Sequence, residues 1–451
     1  YDAYSKSIQF EKQKGVGYIF RGIFQKNRID LDNALKDFEK ASELLEKEGK
    51  KDFKIFSEDW INTLRKEIDE RNKNEIPSEE TAIIRRIKAK LQNDPEDDPL
   101  SKIRDREKQF TLYLERDRTI QPEDSFLIIL RRWNSYTPKI PSEKTDTKGG
   151  GYFLVWKGKG IVIDPGFDFI SNFDKAGFSL RDIDAILITH AHTDHTADFE
   201  SLLSLKHEQK KHIQTGDCNI DLFMNIGSLN KFIGWISRLD VVNKVTILNR
   251  GDRVYPKDYS LYINVTAAKH SEIIGNDCIG LVLELINNNN NFKLGITSDT
   301  GYSTEIMKQY KGCKLLCLHL GSILSNEFNE ALPLRGKKRL YPEHLGMIGV
   351  ISMVKYIRPN ISIITEFGEE LGEDRDIYAK ELDHKFEDGH RCFTGDINMK
   401  ICLPDLGVKC AICNQYCIYS DINEISKDHG KEIVYVCRHH TQQETTTWLS
   451  P

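Results

Sequence analysis

The stretch at residues 183–198, IDAILITHAHTDHTAD, decides how the rest of the chain is read. Ala185–Ile188 is a short continuous apolar run, the length of a buried strand, and Thr189 closes it. His190 and His192 follow two residues apart, which in extended chain sets both imidazoles on one side of the backbone. Asp194 continues that side, and His195 falls where the chain must turn into a helix. Three imidazoles and a carboxylate this close together are costly unless a cation sits among them. Imidazole nitrogen with carboxylate oxygen suits zinc, manganese or iron. A polar strand-end loop with solvent-facing histidines would explain one histidine, but not three directly after a buried strand.

The flanking sequence supplies a scaffold. Upstream, FLIILRRW at 126–133, YFLVW at 152–156 and GIVID at 160–164 are short β-rich runs, with KGGG at 148–151 as a flexible link into the second. Asp164 ends the third run, where a carboxylate either orients a nearby histidine or shapes a turn. Downstream, an amphipathic helix is predicted at 199–211. Strands are predicted at 245–248, 261–267, 279–286, 293–296, 315–318 and 361–365, and helices at 304–310 and 345–357. The run NNNNN at 287–291 reads as a polar hairpin turn. Two blocks of strands with helices between predict an α/β protein, an αββα sandwich with helices on both outer faces. Strand ends offer more donors: His270, Asp299 in SDTG, His344 ahead of a helix, and Glu366 just after ISIIT. Singly each is a turn or capping residue; together with the opening motif they would converge on one rim.

These residues resemble the metallo-β-lactamase superfamily, and within it the phosphodiesterase branch that holds ribonuclease Z-like and ribonuclease J-like enzymes. The match is carried by Asp164, HAHTDH at 190–195, His270, Asp299, His344 and Glu366. The resemblance implies two divalent ions, zinc or manganese. His190, His192 and His270 would hold the first, Asp194 and His195 the second, and Asp299 would bridge them. The chain departs from the pattern at the last ligand. His344 takes the position of a histidine that precedes a helix, but Glu366 stands where a metal-binding histidine is expected. Glu366 is expected to bind the second ion, its charge favouring a harder cation such as manganese; the alternatives are that His344 completes the site or that the second ion is weak. The resemblance also gives Asp194 the role of base or orienter of the attacking water, and His344 that of general acid. His319, in CLHLGS, and Asp164 would support the ligands from behind. Arg335, Lys337, Lys338 and Arg339 form a basic loop that would hold a polyanionic substrate, or simply a solvated loop. His207, His212, His384 and His390 are read as surface residues.

The chain has 451 residues and a net charge of −5, too near neutral to mark a nucleic-acid binder by bulk electrostatics, so such a site must be a local patch. No run of apolar residues reaches membrane-spanning length, so no membrane is expected. The ten cysteines are unevenly spread, which suits a reducing, cytoplasmic setting with a metal module better than a disulfide framework.

Three domains are expected. Residues 1–122 form a charged helical region for partner contact or regulation; one piece weakly resembles a tetratricopeptide helix pair, but one unit is not an array. Residues 123–404 form the catalytic domain. Residues 405–451 form a small zinc module, with Cys410, Cys413, Cys437 and His440 at structural zinc spacing and Cys417 or His439 as substitutes. The expected function is a two-metal phosphodiesterase or nuclease acting on RNA or DNA, in one form a regulated nuclease effector of a bacterial defence system. The alternatives are a hydrolase of a small-molecule ester, lactone or cyclic nucleotide, and a metal-binding scaffold with a degenerate site.

Overall fold

The computed structural model describes residues 14–27, 30–73, 78–91, 99–134, 149–213, 218–271, 277–287, 291–332, 339–368, 371, 374–385, 389–427 and 432–440. The chain divides into two compact units, Tyr1–Thr111 and Leu112–Pro451.

The first unit is helical, as its periodicity predicts. Ala34, Phe38, Ala41 and Leu45 recur at three- and four-residue steps and line one face of the helix Leu31–Lys47. That face packs with Ile19 of Lys14–Asn27 and with Ile61 and Leu64 of Lys51–Lys73. Phe38 stacks on Trp60 at 5.6 Å, and Arg21 pairs with the buried Asp37 at 2.6 Å. Two further helices, Ser78–Leu91 and Pro99–Glu115, follow.

The second unit holds two large sheets. The first runs β17 (Tyr416–Ile418), β16 (Gly407–Lys409), β15 (Lys400–Cys402), β1 (Phe126–Ile129), β3 (Tyr152–Trp156), β4 (Lys159–Ile163), β5 (Ala185–Ile188), β6 (Ile220–Met224), β7 (Val242–Ile247). The second runs β14 (Arg391–Thr394), β13 (Ile361–Gly368), β12 (Leu315–Gly321), β11 (Phe292–Ile296), β10 (Ile279–Leu285), β9 (Leu261–Ala267), β8 (Arg253–Val254), with β2 (Trp133–Asn134) also beside β13. An antiparallel pair, β18 (Ile422–Lys427) and β19 (Glu432–Cys437), completes the strands.

Alternation along each strand builds the layers. Leu127, Ile129, Leu154, Ile161 and Ile163 meet Leu281, Leu283, Leu294, Ile296 and Ile363 between the sheets. Their neighbours Ile128, Phe153, Val162 and Ile186 turn outward onto the helices Phe169–Lys175, Phe199–His212 and Ile226–Ile236. On the other side Val282, Leu316, Leu318 and Ile364 pack under Thr304–Gln309, Gly346–Ile357 and Arg375–Lys385. Strands covered on both faces read as unbroken apolar runs, which is why AILI and LLCL were legible. The result is the expected αββα sandwich.

Several local expectations are corrected. Glu366 lies inside β13, not after it, with φ of +54°. Residues 149–151 are closely packed and not a flexible link: a Cβ on Gly151 would lie 2.2 Å from the Asp164 carbonyl oxygen. His390 is 7% exposed, its Nε2 lying 3.1 Å from the Ser362 hydroxyl, and so is not a surface residue. The tail extends the first sheet beyond β15 through β16 and β17, and its Cys410, Ile422, Tyr435 and Cys437 share the inter-sheet core. Among the described residues, no helix is long and apolar enough to cross a membrane.

Candidate metal centre

Strand ends deliver the donors to one edge of the sandwich. β5 ends at the HAHTDH motif, β9 leads to His270 and β11 to Asp299; β12 carries His319 and β13 carries Glu366. His192 is the extended residue ahead of the single turn Thr193–Thr196, which places Asp194 and His195 in that turn. Asp164, Ser298 and Glu366 all hold left-handed backbone, with φ of 50°, 54° and 54°. Such conformations cost non-glycine residues about 1–3 kcal/mol each and persist where surrounding structure enforces them, commonly at functional sites.

Asp299 sits at the centre. Its Oδ2 lies 3.9 Å from His190 Nε2, 3.5 Å from His195 Nε2, 3.5 Å from His270 Nε2 and 3.8 Å from His344 Nδ1. On one side, His190, His192 and His270 face each other, with His270 Nε2 3.1 Å from His192 Nδ1. That separation is close to the ~3.3 Å edge of a tetrahedron with 2.0–2.1 Å bonds. On the other side three carboxylates close around His195 Nε2: Asp194 Oδ2 at 3.4 Å, Asp299 Oδ2 at 3.5 Å and Glu366 Oε2 at 3.6 Å.

The outer atoms of these rings explain why the inner ones point inward. His195 Nδ1 lies 3.0 Å from Asp164 Oδ2, and Asp164 itself accepts from the Thr189 amide and hydroxyl at 2.7 and 2.6 Å. His190 Nδ1 is 3.1 Å from the Thr189 hydroxyl, and His270 Nδ1 is 2.9 Å from the Glu343 carbonyl. With those nitrogens engaged, the remaining ones face the cluster. His190 Nε2, His195 Nε2, His344 Nδ1 and Glu366 Oε2 are buried without a hydrogen-bond partner. Orphaned buried donors and acceptors are rare in proteins, and four around one carboxylate fit a metal centre. His190, His192 and His270 would hold one ion; Asp194, His195 and Glu366 would hold a second, with Asp299 between the two.

Electrostatics agrees with that fit. Burial, reinforced by the neighbouring histidines, pushes His190 well below the ordinary imidazole range and His192 down to about 4, so both are neutral ligands-in-waiting. Burial opposes the charged form of His195, but Glu366, Asp194 and Asp299 outweigh it and hold His195 well above its usual value. Asp299 is likewise held low against its burial by His195 and His344.

His319 takes a different part. Its Nδ1 lies 2.7 Å from Glu366 Oε1 and 3.2 Å from Asp299 Oδ1, and its Nε2 is 2.8 Å from the Tyr152 hydroxyl. A nitrogen between two carboxylate oxygens carries a proton, so His319 bridges the two acids. His344 lines the mouth with His192, Asp194, His270, Asp299 and Tyr341, around a cavity of about 90 Å³. Its distance from Asp299 and His270 also lets His344 join a ligand group with them. Arg335, Lys337 and Lys338 lie outside the described residues; Arg339 donates to the Glu327 carbonyl at 2.6 Å.

One residue at the centre was not anticipated. Arg131, fully buried, donates to Glu366 Oε1 and to the Asp194 carbonyl. Its sequence signal is the charged pair Arg131-Arg132 directly after the apolar run FLIIL.

Residues 159–365 match the family model described as the beta-lactamase superfamily domain. This segment is a β-lactamase superfamily domain. Ribonuclease Z of Thermobifida fusca (strain YX) is 46% identical over 46 residues, which span 10% of this chain and 14% of that protein. Among solved structures, the metallo-β-lactamase fold protein YhfI of Bacillus subtilis is 12% identical, covering 62% of this chain and 98% of its own, with a TM-score of 0.46. Zinc-bound PqqB of Methylobacterium extorquens is 13% identical, covering 62% and 100%, with a TM-score of 0.45. Human tRNase Z, short form, is 14% identical, covering 62% and 99%, with a TM-score of 0.43. Likeness at this level fixes no substrate.

Behind the superfamily domain, the tail gathers a second cluster. Cys410, Cys413, Cys437 and His440 each present a ligand atom within 4.8 Å of the others. Cys413 and Cys437 sulfurs are 4.0 Å apart, near the ~3.8 Å edge of a tetrahedron with 2.3 Å zinc–sulfur bonds. Cys437 Sγ and Cys410 Sγ lie 3.1 and 3.7 Å from His440 Nδ1. Cys417 stands outside this group and His439 is exposed. This donor set suits one structural zinc.

Proposed function

We propose that the protein is a two-metal hydrolase of phosphodiester bonds, with RNA or DNA as its substrate class. The observation that carries this is the single oxygen, Asp299 Oδ2, set among four imidazole nitrogens with two separate donor groups on either side. Two bound divalent ions would supply an activated water and a clamp on the attacking and leaving oxygens. The chain's own residues do the rest. Asp164, Thr189 and Glu343 fix the imidazoles from outside. Asp194, on the cavity wall, orients the attacking water and takes up its proton. His344, on the same cavity wall, hands a proton to the leaving oxygen. The short stretch of identity with a ribonuclease Z supports the choice of bond. The helical first unit would couple this activity to a partner.

The test is cleavage by the purified protein, with manganese or zinc, of single- and double-stranded RNA and DNA and of bis-p-nitrophenyl phosphate. Cleavage that is lost in folded His192→Ala and Asp194→Ala variants is expected. Cleavage surviving both overturns the mechanism. Activity confined to lactones or carboxylic esters overturns the choice of bond. Two bound ions with no hydrolysis of any of these would favour a scaffold.

A further inference from the structure

A guanidinium buried beside a site for divalent cations is repulsive on its face. Arg131 is nevertheless fully enclosed there, one arm on Glu366 Oε1 and the other on the Asp194 carbonyl. The glutamate is the departure from the superfamily pattern, and it adds a negative charge that a histidine would not bring. The arginine offsets that charge. It also settles which oxygen of Glu366 is available. Oε1 is taken by Arg131 and by His319 Nδ1 at 2.7 Å, while Oε2 has no hydrogen-bond partner and lies 3.6 Å from His195 Nε2. The space for the second contact is made by Gly166, where a Cβ would lie 1.8 Å from the Asp194 carbonyl oxygen and 2.9 Å from the arginine's terminal nitrogen.

We propose that Arg131 is the positioning residue that lets a glutamate serve at position 366: it fixes Glu366 and the Asp194 backbone so that their free carboxylate oxygens face the second metal ion, and it balances the extra charge. This rests on the two-metal reading above. Arg131 and Glu366 then form one unit, and neither can be changed alone without loss.

The test is calorimetric titration of metal-stripped, full-length protein with Mn²⁺, a hard ion that the cysteine-rich tail disfavours. The native chain binds two ions. Arg131→Met keeps the affinity for the first ion and weakens the second by about 10–100-fold. Glu366→His alone also weakens the second, because it strands the arginine beside a cation. The double variant Arg131→Met with Glu366→His recovers the second affinity to within about threefold. If Arg131→Met does not fold, Arg131→Lys replaces it, since a lysine cannot grip both partners, and the same loss is expected. Unchanged second-ion affinity in the arginine variant overturns the proposal. So does equal loss at both ions, or a double variant no better than the single. Fewer than two ions on the native chain overturns the two-metal reading itself, and this proposal with it.

Discussion

Asp164 holds His195 by its outer nitrogen: Oδ2 lies 3.0 Å from Nδ1, which leaves Nε2 facing Asp194, Asp299 and Glu366. The same carboxylate is clamped by the Thr189 amide and hydroxyl. Asp164→Asn keeps the shape but must set an amide against one of these donors. It is expected to fold, and to lose about 10–100-fold in affinity for the ion that His195 would hold. Metal titration with circular dichroism as the folding control checks this.

Gly166→Ala is expected to damage the site without touching a donor. Its Cβ would overlap the Asp194 carbonyl and press on Arg131. The HAHTDH turn must move, at a cost on the order of 3 kcal/mol or more of stability. Chemical denaturation reads that loss, and hydrolysis should fall with it.

The tail cluster should stabilise the chain only when loaded. A fragment of this size buries little core of its own, so metal binding contributes folding energy directly. Cys413→Ser, or a chelator, is expected to lower the melting temperature and release one zinc. Unchanged melting with zinc removed would show that the tail's strands hold by packing alone.

Glu424 on β18 gives a pH dependence. Burial pushes its carboxyl up to about 8, against the Thr394 amide that donates to it. An acid raised on folding binds its proton more tightly in the folded state. Stability is therefore full below the ordinary carboxylate value and is lost as pH rises toward 8. The neutral Glu424→Gln variant should flatten that decline and be more stable than the native chain at pH 8, by about 1 kcal/mol or more. Thermal melts between pH 5 and 8 measure it.

The layers were legible because strands buried on both faces are unbroken apolar runs; Ala185–Ile188 and the opening LLCL of Leu315–Gly321 announce themselves. The donors were legible because strand ends concentrate them: His190, His192, His195, His270, Asp299, His344 and Glu366 do meet. Two features were hidden. Ile220–Met224 and Ile226–Ile236 form a strand and a helix whose apolar runs are nearly continuous, so periodicity does not separate them. Arg131 looks like an ordinary charged strand end. Its partner Glu366 lies 235 positions away, and only the closing of the sandwich shows that the guanidinium donates to that carboxylate. Residues 149–151 misled for the opposite reason: glycines that serve close packing carry the same letters as a flexible link.

The central claim is that Asp299 stands between two metal ions. Elemental analysis of the purified full-length chain, with Cys413→Ser to remove the tail's contribution, tests it most directly. About two divalent ions per chain are expected, falling to about one in the additional presence of Glu366→Ala, and to fewer than one with Asp299→Ala. About one ion or fewer in the first case would contradict the account.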